Sequence, residues 1–223
     1  MKFASMIGTV CIATLALAGC SSKITQPDEY SGFLGDYSRL KEEKSPSGAA
    51  VMRWIDPKID LAKYSSVYIE PTQLYPKPQP TVKIPAATLA GITSYYDQAL
   101  KREVGRSLPL ATSPGPGVLV VRAAITAVSS KTEGLKPYEV IPIALVAAAV
   151  STASGIRDQE TTLGTEAVFL DGGSNTAIAQ VVRKGTGKPL SNASQVMKAD
   201  DVKAVIDGWA ADLHQSYVKL KAK

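Results

Sequence analysis

The run GPGVLVVRAAITAV at residues 115–128 joins a turn to the clearest strand in the chain. Pro114-Gly115-Pro116-Gly117 supplies the turn, and the apolar residues from 118 to 128 supply the strand. Upstream, Leu89, Ile92, Tyr96, Leu100 and Val104 recur at helical spacing. They predict an amphipathic helix of about 20 residues. Before it, Pro76, Pro78, Pro80 and Pro85 make a stretch too stiff and too poor in donors for a helix or a central strand. A shorter strand is expected at 66–71, where Val67 and Ile69 alternate with Tyr68 and Glu70 and Pro71 ends the run.

Downstream, 140–153 is the most apolar segment after the N-terminal leader. It is too short to span a bilayer, which takes about 20 residues, and Pro142 suits a first helical turn. It reads as a short buried helix or an apolar loop packed on the sheet, with insertion into a membrane surface or a partner as the alternative. Strands are expected at 161–170 and 176–183, joined by the hairpin chemistry of Asp171-Gly172-Gly173-Ser174-Asn175. A last helix over 200–220 carries Val202, Ile206, Trp209, Leu213, Tyr217 and Leu220 on one stripe. The order strand, helix, strand, short helix, hairpin, helix indicates an α+β fold. The expectation is a two-layer domain, with a mostly antiparallel sheet of about four strands covered by two longer helices.

The N-terminus has a different character. A single charge at Lys2 precedes an uncharged run from Phe3 to Ala18, the n-region and h-region of a signal peptide over residues 1–19. The run ends in small residues and is shorter than a spanning helix requires, which disfavours a retained membrane anchor. Leu17-Ala18-Gly19-Cys20 resembles the lipobox of bacterial lipoproteins, which implies a diacylglycerol and an N-acyl chain at Cys20. Ordinary cleavage leaving a free thiol is the alternative. One acyl chain holds a protein only marginally, at about 0.8 kcal/mol per buried methylene. Three chains make the attachment permanent. Ser21 and Ser22 follow the cysteine, and by resemblance to enterobacterial sorting rules the lack of Asp there implies the outer membrane, facing the periplasm.

Residues 20–49 are rich in Ser, Pro, Gly and charge and read as a flexible tether ahead of a single domain at 50–223. Within the tether, Tyr30, Phe33, Leu34 and Tyr37 are apolar enough to dock onto the domain or a partner, and they are the candidate partner-binding residues. Of 25 basic and 20 acidic residues, the leader removes only Lys2, leaving 24 against 20 and a net charge of +4. That excess is too small and too dispersed for nucleic acid. Cys11 leaves with the leader and Cys20 is capped by lipid, so the domain holds no disulfide and depends on its core.

Several segments together resemble the bacterial lipoprotein family known as domain of unknown function 3313: Tyr30-Ser31-Gly32-Phe33-Leu34, Trp54-Ile55-Asp56-Pro57, YSSVYIEP at 64–71 and GPGVLVVRAAITAV at 115–128. The resemblance covers roughly residues 30–185. In that family an acidic strand residue precedes an Asp-Ser-x-Thr-Gly-Glu turn. Glu166 and Asp171 match loosely, whereas Gly172-Gly173-Ser174-Asn175-Thr176 departs from the pattern. The resemblance implies a lipoprotein and no activity.

Catalytic templates find few of their parts. His214 is the one histidine, so a Ser-His-Asp triad would have to use it, and no Gly-x-Ser-x-Gly elbow presents a serine. It reads as a surface or packing residue. A His/Cys zinc site fails by count, and the Asp171 turn lacks EF-hand spacing. Gly185-Thr186-Gly187-Lys188 is similar to a phosphate loop but continues into Pro189, where Ser or Thr should stand. Glu70, Glu166 and Asp171 leave a carboxylate hydrolase of cell-wall material as the alternative reading. Arg122 and Glu166, charged positions inside apolar strands, are expected to pair with each other or face solvent together. The expectation is a non-enzymatic envelope domain without cofactor or metal, attached to the bilayer through Cys20 and binding another envelope protein or peptidoglycan.

Overall fold

The structure, a computed structural model, describes residues 24–132 and 159–222. The signal peptide expected at 1–19, Cys20 and the apolar segment 140–153 lie outside the described residues. Seven strands form one mixed sheet. They are β1 (Lys41–Lys44), β2 (Ala50–Ile55), β3 (Ser66–Ile69), β4 (Gln73–Leu74), β5 (Val118–Thr132), β6 (Gln159–Asp171) and β7 (Ala177–Thr186). The order is β1-β2-β7-β6-β5-β3, with β4 also on β5. Helices α1 (Ala86–Val104) and α2 (Lys203–Lys221) cover one face.

The fold is α+β with two long helices, as expected, but the sheet is larger than about four strands and is mixed rather than mostly antiparallel. Its parallel pairs are β3 with β5 and β4 with β5. The chain between them holds α1, the crossover that a parallel pair requires. The strands not anticipated are β1, β2 and β4. Strand β1 reads Lys-Glu-Glu-Lys and is exposed throughout, so it has no alternation to detect. Its register with β2, Lys41 opposite Arg53 through Lys44 opposite Ala50, supplies what its composition lacks. A charged edge also resists pairing with other chains.

In β5 the alternation of Leu119, Val121, Ala123 and Ile125 faces the helices, and all four are buried in the core. Val128 belongs to the same core although it is three residues further on. The register shift between Ile125 and Ala127 corrects the parity, as a bulge does. Opposite stand Leu163, Ala167 and Phe169 of β6, and from the helices Ile92, Tyr96, Leu100 and Ile206. Each fully buried Ile or Leu contributes about 1.5–3 kcal/mol over an exposed one. Helix α2 sits close to β7 because Gly185 has no side chain. A Cβ there would lie 2.6 Å from Val205 and 2.9 Å from Trp209. The loop that is similar to a phosphate loop is thus the exit of β7 beneath α2, held by Lys188 N–H donating to the Asp201 carbonyl (2.7 Å).

The flexible tether expected at 20–49 is corrected over its described part. Pro27–Glu29 is a 3-10 turn, β1 is a strand of the sheet, and residues 29–40 lie as a strap across the face opposite the helices. Polar composition fits a tether, but here the polar groups are spent on specific partners in β6 and β7.

Candidate functional site

The strap is organised around one carboxylate. Glu166, in the middle of β6, is wholly buried on the face away from the helices. Its Oε1 accepts from Ser31 N–H (2.8 Å) and its Oε2 from the Tyr37 hydroxyl (2.6 Å). The Tyr37 oxygen in turn accepts from Gly32 N–H (2.7 Å) and Leu34 N–H (3.3 Å). Burial, and then the Glu166 carboxylate, push the Tyr37 hydroxyl up to about 12. The rings of Tyr30 and Tyr37 stack with centroids 4.4 Å apart. Phe33 meets Tyr75 edge-on at 5.6 Å. Arg39 lies 3.8 Å over Trp54, Gln180 Nε2 donates to the Asp36 carbonyl and Lys184 pairs with Glu29. Of the two destinations open to Tyr30, Phe33, Leu34 and Tyr37, the structure places them against the domain, each half-buried.

The expected partnership of Arg122 with Glu166 is corrected. The two share a face, since Ala124 is opposite Glu166 and Arg122 opposite Val168. Arg122 instead makes a bidentate pair with Glu70 at the end of β3, at 2.7 and 2.9 Å. Parallel pairing of β3 with β5 brings Glu70 beside Arg122, whereas the strap fills the space over Glu166. Both members of the Arg122 pair are partly solvated, so a double-mutant cycle of Arg122→Ala and Glu70→Ala should return a coupling of about 0.5–1 kcal/mol, falling with salt. No coupling would mean that the pair is not held in solution.

The third carboxylate considered for hydrolysis is engaged too. Asp171 Oδ1 accepts from Gly173 N–H, Ser174 N–H and the Ser174 hydroxyl, while Oδ2 accepts from the Tyr64 hydroxyl (3.1 Å). Its carboxyl is held below the usual range, chiefly by the Ser174 bonds. Asn175 closes the turn in the left-handed region at φ 56°. Glu70, Glu166 and Asp171 each have an intramolecular role, and among the described residues no group of three or more His, Cys, Asp or Glu is arranged to hold a metal. His214 Nδ1 bonds the Ser107 hydroxyl (2.8 Å), linking α2 to the end of α1. Among the described residues no carboxylate completes a triad at the other ring nitrogen.

An open feature among the described residues lies on the helix side. A cavity of about 100 Å³ separates α2 from the sheet. Its walls are Val181 and Ala179 of β7, Phe169 of β6 and Trp209, Leu213 and Leu220 of α2, with Tyr96 and Leu100 of α1 behind. Trp209, Leu213, Leu220 and Val181 are half-buried, so the core is open on this side. A second cavity, of about 190 Å³, continues from it and shares Arg53, Ile55, Ser216 and Leu220. It adds Lys44, Ser45, Pro46 and Lys219, and no acidic residue lines it.

The model of a family described as a protein of unknown function (DUF3313) matches residues 29–213. The chain belongs to that family. The uncharacterized lipoprotein YdcL of Escherichia coli K12 is 44% identical over 198 residues, covering 89% of each chain, and the same holds for YdcL of Escherichia coli O157:H7. Distant likenesses among solved structures include a PelC dodecamer from Paraburkholderia phytofirmans, 10% identical with a TM-score of 0.40, covering 74% of this chain and 96% of that one. Another is a neuraminyllactose-binding hemagglutinin homolog from Helicobacter pylori, 11% identical with a TM-score of 0.35, covering 74% and 92%.

The family match begins at Glu29, inside the strap, so the strap belongs with the fold rather than with the leader. The segments that carry the resemblance are all held within the fold. Tyr30 through Leu34 lies on Glu166, Trp54 lies under Arg39, and the strands at 66–69 and 118–132 pair in parallel. Sequence reasoning missed the cleft, because its walls come from β6, β7, α1 and α2. The signal that could have pointed to it is the second aromatic on the α2 stripe: Trp209 beside Tyr217 is wide cover for a helix facing small residues such as Ala179.

Proposed function

We propose that this family member is a non-enzymatic binding domain of the bacterial envelope, anchored by a diacylglycerol and an N-acyl chain at Cys20 in the outer membrane and facing the periplasm. The observation that carries the binding reading is the apolar cleft under α2, open in a molecule whose buried carboxylates and lone histidine are occupied with holding the fold. The lipoprotein relatives support the anchor, as does the Leu17-Ala18-Gly19-Cys20 boundary. Among the described residues no helix is long and apolar enough to cross a membrane. The bilayer is the partner through Cys20, with another envelope protein or peptidoglycan as the protein-side partner and no role for nucleic acid.

Cells labelled with a palmitate analogue should mark the wild-type protein and not Cys20→Ala, and the labelled protein should fractionate with the outer membrane. An unlabelled wild-type protein would remove the anchor. Label in the inner membrane would relocate it.

A further inference from the structure

The cleft and its mouth differ in chemistry in a way that defines an occupant. The inner part is almost wholly apolar and narrow. About 150 Å³ holds a benzene ring elsewhere, so about 100 Å³ encloses only a few methylenes of one chain, and the rest of that chain would lie along the half-buried walls open to solvent. The mouth is wider, about 190 Å³, and brings Lys44 from β1 and Arg53 from β2 together with Lys219 from α2. Arg53 is shared with Glu43, which pairs with it across the first two strands. Lys44 and Lys219 are exposed and form no ion pair among the described residues. Their stems can lie along the apolar rim of Ile55 and Leu220 while their ammonium groups face the mouth.

We propose that the cleft binds an anionic lysophospholipid, its single acyl chain lying among Val181, Leu213 and Trp209 and its phosphate-bearing head at Lys44, Arg53 and Lys219; this rests on the binding-domain reading above. The chain removes the half-buried walls from water, as in other small-molecule sites, where a few polar groups orient a mostly apolar ligand. The mouth, with Lys44 and Lys219 unpaired among the described residues and Arg53 paired with Glu43, selects a net negative head, and its volume suits a phosphoglycerol better than a bare carboxylate.

The test uses the whole mature chain from residue 20 with Cys20→Ala, so that no acyl chain of its own competes. N-phenylnaphthylamine fluorescence reports occupancy of the cleft, and palmitoyl lysophosphatidylglycerol below its micelle concentration is added as competitor. The lysophosphatidylglycerol is expected to displace the dye, with zwitterionic lysophosphatidylcholine and palmitate each about tenfold weaker. Lys44→Glu/Lys219→Glu, at two exposed positions, should weaken the lysophosphatidylglycerol by about tenfold or more while leaving dye binding unchanged. Val181→Trp should exclude both.

Equal displacement by lysophosphatidylcholine or palmitate, or unchanged affinity in the charge-reversed protein, overturns the proposal while dye binding preserves the cleft as a binding site. Failure of the dye to enter the wild-type protein overturns both readings. A concentration-dependent dimer abolished by Val181→Trp overturns the proposal and makes the cleft an interface between copies.

Discussion

Asp212→Ala is expected to destabilise the domain by about 3–5 kcal/mol, the cost of removing one member of a buried ion pair. Asp212 of α2 is 2% exposed and Arg183 of β7 is 9% exposed. Arg183 Nη1 donates to Asp212 Oδ2 at 2.9 Å. The same carboxylate accepts from Ser47 N–H (2.9 Å) and the Ser47 hydroxyl (3.0 Å), so it ties the β1–β2 turn, β7 and α2 at one point. The variant leaves a buried guanidinium without its partner and the turn without its anchor. For a domain of this size about 2–4 °C of Tm accompanies each kcal/mol, so thermal unfolding should move down by roughly 10 °C. Arg183→Met/Asp212→Leu should recover most of the loss, because an apolar pair bears no desolvation cost. A shift of only a degree or two in Asp212→Ala would mean that water reaches the pair.

The same group sets an acid limb. Burial pushes the Asp212 carboxyl up, but Arg183, Ser45 and Ser47 together pull it further down, leaving it below its ordinary value of 3.8. A carboxyl lowered by folding stabilises the native state above the unfolded value and loses that stabilisation as pH falls through the folded one. Wild-type stability should therefore drop below pH 3.8 more steeply than that of the Asp212 variant.

Tyr37→Phe is expected to cost about 1.5–3 kcal/mol, the range for a hydrogen bond to a charged group. It leaves the fully buried Glu166 carboxylate with Ser31 N–H as its remaining donor, and it takes away the acceptor for Gly32 N–H and Leu34 N–H. Amide exchange over residues 31–38 should accelerate more than exchange in β5 and β6, because the strap loses its central attachment. The alkaline limb supplies a second readout. Tyr37 and Tyr64 are both raised from 10.0 to about 12, by burial first and then by Glu166 and Asp171 respectively. Groups raised by folding contribute stability that is complete below their unfolded value and disappears as pH climbs through the folded one. Wild-type stability should fall between pH 10.0 and about 12, and Tyr37→Phe should flatten part of that fall. A loose tether would show neither effect.

The strongest sequence signals were those that a single element can carry. The period of Leu89, Ile92, Tyr96, Leu100 and Val104 places α1 to within three residues of its observed start, and the apolar run after Gly117 places β5. The hairpin at 171–175 is where its turn residues put it. Strand β1 shows the opposite case. Its four exposed charges encode no face, and it is a strand because the backbone of β2 lies beside it. The strap is similar. Aromatic side chains in a polar context announce that something will be covered, while what they cover depends on a carboxylate more than a hundred residues away.

Local pattern therefore determined the helices, the long antiparallel hairpin and the family resemblance, because each depends on residues within one turn or one strand of each other. Tertiary structure alone decided that Glu70 rather than Glu166 meets Arg122, that residues 29–40 form a strap, and that residues of α1, α2, β6 and β7 together line an apolar cleft with a cationic mouth. Those outcomes follow from strand order and register, which bring distant residues to within a few ångströms by satisfying backbone hydrogen bonds and burying apolar faces, and no single stretch of sequence contains both partners.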